Sequence, residues 1–231
     1  MNTVVELKKA AAEHAVQFIE SGMIIGLGTG STAYFAIHRV AELIKQNSLK
    51  NILAIPSSKE TESLARSLGI PLTSFKENIS IDIAIDGADE VDENLNLIKG
   101  GGGALLREKI VAQASKQFLV VVDHTKISKK LGNKFKVPVE VIPFALETET
   151  FFLKNCCNDV MIRKNNDGTL FVTDEGNYIL DAGFGEMENP SSVAAMLNER
   201  AGIVEHGLFI GLASAVYAAS PGGIITLRKF N

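Results

Sequence analysis

The sequence predicts an α/β protein: a doubly wound, mostly parallel sheet interrupted by a smaller α+β block. Three observations point there. Short apolar runs alternate with amphipathic stretches over the first 130 or so residues, the pattern of βα units. Turns marked by glycine and aspartate follow the ends of those runs, where open α/β sheets place their ligands. Near Lys134 the texture changes to short segments separated by tight turns, and the apolar runs return only after Gly207.

Taking the elements in order, residues 7–21 carry Leu7, Ala11, Ala15, Phe18 and Ile19 at helical spacing, with Gly22 as the stop. Residues 23–27 are a short apolar run, expected as a buried parallel strand. A helix follows over 31–45, with Ser31 or Thr32 as its candidate cap. A second strand is expected over 51–56, a helix over 58–68 ended by Gly69, and a strand over 81–85. A helix over 104–115 and a strand over 118–122 complete the first block. Beyond it, strands are expected over 137–142 and 160–164, a helix over 144–155, and a turn at Asn166-Asp167-Gly168. Residues 170–173 and 178–181 read as antiparallel strands joined by Asp174-Glu175-Gly176-Asn177. A helix over 191–200 precedes strands over 207–213 and 224–229. The division that results is a large domain of residues 1–132 and 207–231, with a small domain of residues 133–206 inserted in it.

Composition narrows the function. A length of 231 residues, 46% hydrophobic and 22% charged, suits a globular chain with a substantial core. The net charge of −4 supplies no basic footprint for nucleic acid. The N-terminus has no apolar signal core and no apolar run approaches the roughly 20 residues that span a bilayer, so no membrane role is expected. Cys156 and Cys157 are adjacent and have no third cysteine as a partner, the usage of a reduced, cytoplasmic protein. His14, His38, His124 and His206 are scattered, without metal-ligand spacing. No G-x-S-x-G elbow is present.

Three turns carry the chemistry. Gly26-Leu27-Gly28-Thr29-Gly30-Ser31-Thr32 fails the dinucleotide fingerprint, because Ser31 stands where the third glycine belongs and the next strand ends in Pro56-Ser57-Ser58 rather than an acid. It fails the P-loop pattern for want of a lysine. What remains is a strand, a glycine turn and a helix N-terminus with hydroxyls, suited to a phosphate or simply to a tight connection. Asp86-Gly87-Ala88-Asp89-Glu90 is no EF-hand, since Ala88 and Val91 occupy positions that should hold a ligand and the glycine. It is either a solvated acidic loop or a pair of carboxylates at the sheet's C-terminal edge. Lys99-Gly100-Gly101-Gly102-Gly103 places an ammonium before backbone that can approach a ligand closely. In the next helix Leu106, Ile110, Val111 and Ala114 form the expected buried stripe, with Glu108 at its border, a pattern that by itself describes a surface glutamate. Lys126 follows a strand end, as many solvated lysines do. Amides, carboxylates and an ammonium at strand ends together suggest a small anionic, polyhydroxylated substrate such as a sugar phosphate.

Gly28 to Thr32, Asp86 to Glu90, Ile98-Lys99-Gly100-Gly101-Gly102, Arg107-Glu108-Lys109 and Asp123-x-x-Lys126 together resemble ribose-5-phosphate isomerase of the A type, as do Val137-Pro138-Val139-Glu140-Val141-Ile142-Pro143 and Gly207-Leu208-Phe209. The resemblance runs from the first helix to the C-terminus. It implies a Rossmann-like large domain, a ferredoxin-like small one, a homodimer or homotetramer, and interconversion of ribose 5-phosphate and ribulose 5-phosphate with no cofactor and no metal. By position, Glu108 matches that family's base, and Asp86, Asp89 and Lys99 its other catalytic polar residues. Thr29, Gly30, Ser31, Thr32, Asp86, Gly87, Ala88, Asp89, Lys99, Gly100, Gly101, Gly102 and Lys126 match its substrate-binding segments. Residues 181–185 and 213–222 depart from what that family leads one to expect. Competing functions on related folds are a sugar-phosphate sensor, which normally carries a helix-turn-helix not found here, and an amino-sugar-phosphate deaminase or phosphogluconolactone hydrolase.

Overall fold

A computed structural model describes residues 3–228. In chain order the elements are α1 (Val4–Val16), β1 (Ile24–Leu27), α2 (Ala33–Lys45), β2 (Leu53–Pro56), α3 (Lys59–Ser67), β3 (Ile81–Asp86), β4 (Glu90–Val91), β5 (Leu97–Ile98), α4 (Leu105–Gln113) and β6 (Ser115–Asp123). There follow β7 (Val137–Val141), α5 (Leu146–Lys154), β8 (Asp159–Ile162), β9 (Tyr178–Gly183), α6 (Pro190–Asn198), β10 (Ile203–His206), β11 (Leu208–Phe209), β12 (Ala215–Ser220) and β13 (Gly223–Arg228). The chain divides into two compact units. One takes Met1–Ala88, Arg107–Lys126 and Leu212–Asn231; the other takes Asp89–Leu106 and Ile127–Gly211. Residues 89–106, 127–132 and 207–211, expected in the large domain, thus group by contact with the second unit.

The first unit holds a six-stranded sheet in the order β13-β12-β6-β3-β1-β2. All neighbours in it are parallel except the β12–β13 pair at one edge. Parallel strands covered on both faces are largely apolar, and in β3 Ile81, Ile83, Ala84 and Ile85 are all buried, while Asp82 is half-buried and accepts from Lys116 Nζ (2.7 Å). Helix α1 packs on α2, β6 and β12 through Leu7, Ala11, Ala12, Ala15 and Val16. It starts earlier than the apolar spacing suggests because Thr3 and Glu6 form a capping box: Glu6 N–H donates to Thr3 Oγ1 (3.2 Å) and Thr3 N–H to Glu6 Oε2 (2.7 Å). Helix α2 begins with no such device. Thr32 sits at its cap position in helical backbone and makes no cap bond, so the expected hydroxyl cap does not form. The fifth parallel strand, β12, lies where no strand was expected, between those expected over 207–213 and 224–229.

Strand order sets where ligands go. The chain steps from β1 outward to β2, then crosses back to β3 on the other side of β1. Such a reversal opens a crevice at the C-terminal ends of β1 and β3, the switch point of a doubly wound sheet. The Gly28–Thr32 and Asp86–Ala88 turns leave from those two ends.

The second unit holds a four-stranded antiparallel sheet, β10-β7-β9-β8, with α5 and α6 packed on it, and a three-stranded ribbon, β11-β5-β4. Its core gathers Val137, Val139, Val141, Leu153, Leu180 and Leu197. The expected hairpin of 170–173 with 178–181 does not form. β9 pairs with β7 and β8 instead, and residues 170–173 run irregularly apart from one bridge between Leu170 and Lys164. The turn that follows is held by Thr173 N–H donating to the Asn177 carbonyl (2.9 Å) and by Glu140, which accepts from Thr173 Oγ1 (2.8 Å) and Asn177 Nδ2 (2.9 Å). Of the strand expected over 207–213 only Leu208–Phe209 is regular, paired to β5. Position 229 of the last expected strand lies outside the described residues.

Candidate active site

In the first unit, the C-terminal ends of four neighbouring strands carry polar groups. β2 leads into Ser57-Ser58, β1 into Gly28–Thr32, β3 into Asp86–Ala88, and β6 into the short 3-10 turn His124–Lys126, where Lys126 is half-buried. The β1 and β3 ends are in direct contact. Thr29 N–H donates to Asp86 Oδ1 (3.0 Å), Gly87 N–H donates to the same oxygen (2.7 Å), and Gly28 N–H donates to the Ile85 carbonyl (3.0 Å). This approach explains Gly28: a Cβ there would lie 2.2 Å from Asp86 Oδ1 and 2.6 Å from Asp86 Cα. Gly26 is needed one turn of the strand earlier, where a Cβ would meet Val111 of α4 at 2.6 Å and Ala84 of β3 at 2.7 Å.

The turn is braced from its other side by hydroxyls. Thr29 Oγ1 donates to Ser58 Oγ (2.9 Å) and lies 2.8 Å from Ser57 Oγ and 3.1 Å from Thr61 Oγ1, while Thr61 Oγ1 donates to the Gly28 carbonyl (2.9 Å). Ser58 also caps α3 by accepting from Thr61 N–H (2.9 Å). Sequence reasoning missed Ser57, Ser58 and Thr61, using the first two only to reject a nucleotide motif. Their role depends on β2 lying beside β1, which strand order alone reveals. It missed Lys8 as well, which reaches from α1 to donate to Ser31 Oγ (2.9 Å) and brings an ammonium to the glycine turn.

Helix α4 buries Leu105, Glu108, Lys109, Val111 and Ala112, while Ile110 is largely exposed. Of the expected stripe, Val111 is buried, Leu106 and Ala114 are half-buried and Ile110 is exposed, so the buried face is turned toward Leu105 and includes Glu108, at the i+3 position from it. A carboxylate 5% exposed on a helix is costly unless its surroundings use the charge. The same holds for Asp86 (3%) and for Lys99 of the second unit (2%).

In the second unit the β4–β5 ribbon brings Asp89 to the glycine loop. Gly101 N–H donates to Asp89 Oδ2 (2.8 Å), and a Cβ on Gly101 would sit 2.8 Å from Asp89 Oδ1. Gly100 adopts φ +95° and its carbonyl accepts from Gly103 N–H (2.9 Å), closing a turn that only glycine enters without strain. Lys99 N–H donates to the Gly207 carbonyl (2.9 Å), and Lys99 Nζ lies 5.5 Å from the centre of the Phe209 ring, within cation–π range. Arg163, also unforeseen, reaches the loop from beyond β8: its Nη1 donates to the carbonyls of Gly100 (2.8 Å) and Gly101 (3.1 Å).

The strand ends of the first unit thus gather hydroxyls, the Lys8 ammonium and the buried Asp86 carboxylate, and Glu108 is buried on α4. Among the described residues no group of three or more His, Cys, Asp or Glu side chains is arranged to hold a metal ion, and no helix is long and apolar enough to cross a membrane.

The family model described as ribose 5-phosphate isomerase A (phosphoriboisomerase A) matches residues 53–223. Ribose-5-phosphate isomerase A of Desulfatibacillum aliphaticivorans is 57% identical over 222 residues, covering 96% of each chain. A solved D-ribose-5-phosphate isomerase in complex with phospho-erythronic acid superposes with a TM-score of 0.96 at 40% identity, covering 99% of this chain and 100% of that one. Ribose 5-phosphate isomerase A of Methanocaldococcus jannaschii gives 0.93 at 39% identity, covering 98% and 100%. Matches of this extent, on a chain whose strand ends bear the polar groups described above, make it a member of the ribose 5-phosphate isomerase A family.

Proposed function

We propose that this chain interconverts ribose 5-phosphate and ribulose 5-phosphate with Glu108 as the base that carries a proton between C2 and C1. Family membership and the likeness to a structure holding phospho-erythronic acid support the reaction. The observation behind the choice of base is that Glu108, only 5% exposed in the first turns of α4, stands at the position that matches the base of the family to which the chain belongs. Aldose–ketose isomerisation passes through a cis-enediolate. The C–H bond is weakly acidic, so a positioned carboxylate must take the proton from one carbon and return it to the other. Such a base is worth about 10²–10⁴-fold in rate.

The developing enediolate oxygen needs donors aimed at it. Lys99 and the amides of Gly100 and Gly102 fill that role in this proposal, each well-aimed donor contributing about 3–4 kcal/mol, while the Gly101 amide holds Asp89. Asp86 and Asp89 are the groups for furanose opening, which moves a proton between the anomeric hydroxyl and the ring oxygen. The phosphate goes to Thr29, Gly30, Ser31 and Thr32, at the N-terminus of α2, with Lys8 and Lys126 as cations. Gly87 and Ala88 contribute backbone to the sugar.

The test is conversion of ribose 5-phosphate, followed by absorbance in buffer containing EDTA, for the wild type and Glu108→Gln. The wild type turns over, and the variant binds the sugar phosphate but loses at least about 10²-fold in kcat. Near-normal turnover by Glu108→Gln refutes the choice of base.

We also infer that the chain works as a cytoplasmic homodimer or homotetramer. Phe144 and Phe151 of the second unit, 97% and 73% exposed, support association, since large aromatic side chains left in water mark surfaces for burial.

A further inference from the structure

The geometry points to Arg163 as a positioning residue for the isomerase reaction, acting by clamping the peptide between Gly100 and Gly101. This rests on the reading of Asp89 and the 99–102 loop as part of the substrate site. Arg163 lies just past β8 and its guanidinium is used on both sides. Toward the sheet, Nε donates to Asp181 Oδ2 (3.0 Å) and Nη2 donates to Asp181 Oδ1, a fork-to-fork pair with little exposure of either side chain. Toward the loop, Nη1 donates to both the Gly100 and the Gly101 carbonyls. Phe171 flanks the arrangement, 5.8 Å from the guanidinium and so close to Gly103 that a Cβ there would lie 2.4 Å from its ring.

The clamp has a direct consequence for Asp89. In a trans peptide the C=O and N–H point in opposite directions. With the Gly100 carbonyl drawn to Arg163, the Gly101 N–H is turned to the other side, where it meets Asp89 Oδ2 at 2.8 Å. The Gly101 carbonyl is drawn the same way, which turns the Gly102 N–H to that side too. One guanidinium therefore fixes the orientation of two amides in a run of four glycines that has the greatest backbone freedom of any sequence. Lysine offers no equivalent, because a single ammonium lacks the planar fork that reaches a carboxylate and two carbonyls at once.

The experiment measures kcat, KM and the thermal midpoint for Arg163→Met, Arg163→Lys, Asp181→Asn, Asp89→Asn and the double variant Arg163→Met/Asp89→Asn, with ribose 5-phosphate as substrate. Arg163→Met lowers kcat by about 10²-fold, the scale of a small misplacement of catalytic groups, and changes KM by only a few fold. Arg163→Lys recovers part of the loss, and the double variant is no slower than the slower single variant by more than about twofold, because both act through the same peptide. Should Arg163→Met not fold, Arg163→Lys and Asp181→Asn carry the test, since each retains one side of the clamp. Wild-type kcat in any folded Arg163 variant overturns the inference, as does a loss that tracks only the folded fraction. Wild-type turnover of Asp89→Asn overturns the underlying reading of the loop instead; an impaired Asp89→Asn beside a fully active Arg163→Met overturns the clamp alone.

Discussion

Replacing Gly28 with alanine puts one methyl group between the ends of β1 and β3. The added Cβ would lie 2.2 Å from Asp86 Oδ1, 2.3 Å from Asp86 Cγ and 2.6 Å from Asp86 Cα. Relieving the first contact to a bare minimum of about 3.0 Å needs a shift of about 0.8 Å. The carboxylate can turn aside only by giving up the bonds that Oδ1 accepts from Thr29 and Gly87 N–H. The Cα has no such freedom, so the strand ends must part, and the Gly28 N–H bond to the Ile85 carbonyl stretches with them. Overpacking of this kind costs about 1–3 kcal/mol, and losing a hydrogen bond to a charged group about 1.5–3 kcal/mol more. A total of about 3–5 kcal/mol corresponds to a fall of roughly 10 °C in the unfolding midpoint for a chain of this size. The displaced turn also carries Thr29 and Asp86 with it, so kcat/KM falls by about 10²-fold. Thermal unfolding by circular dichroism, with turnover of ribose 5-phosphate alongside, measures both. Gly102→Ala is the thermal control, because its Cβ meets nothing within 4 Å, and its midpoint stays within about 1–2 °C of wild type. A Gly28→Ala protein that melts with the wild type would refute the close-approach argument.

Two further outcomes follow from the second unit. Burial in β7 pushes the Glu140 carboxyl above its usual value of 4.5, against the lowering effect of the bonds from Asn177 and Thr173. The folded state therefore holds this proton to higher pH than the unfolded chain, so the group costs stability as pH rises from about 4.5 through the folded value. Glu140→Gln keeps an acceptor for both donors and removes that cost: its midpoint, relative to wild type, improves between pH 4 and neutrality, and a constant difference across that range would contradict the sign. Sedimentation velocity is expected to find a dimer or tetramer, with Phe144→Asp shifting it toward smaller species; a wild type that sediments as a monomer at micromolar concentration ends the association argument.

How far the fold was legible depends on how local its signals are. Strands β1, β2, β3 and β6 stand out because each contains a short, largely apolar and largely buried run. β12 does not, because Ala-Val-Tyr-Ala-Ala-Ser is rich in alanine, which has little strand preference of its own; its strand state comes from the slot beside β6. β4 and β5 are two residues each, too short to show any period, and exist only because they pair with each other and with β11. Residues 170–173 show the converse: a β-like sequence that cannot pair with β9, taken on both sides by β7 and β8, and meets Arg163 and Lys164 past the end of β8 instead. The early start of α1 is legible as Thr3 and Glu6 at capping-box spacing, whereas the apolar period begins only at Leu7.

The site divides along the same line. Its turns are visible because glycine and aspartate announce them within five or six residues. The contacts that give them shape are not, for they join residues 57 apart at Thr29 and Asp86, and 62 apart at Arg163 and Gly101. Glu108 is the instructive case. Leu105, Glu108, Lys109 and Ala112 share the i, i+3, i+4, i+7 spacing of a core-facing stripe, yet the middle two are charged and both are buried. A reading that assigns charge to the solvent face rotates the helix away from its true orientation and sends Glu108 outward with it. Charged side chains at core positions are local breaches of patterning, and a reading built on patterning resolves them in the wrong direction.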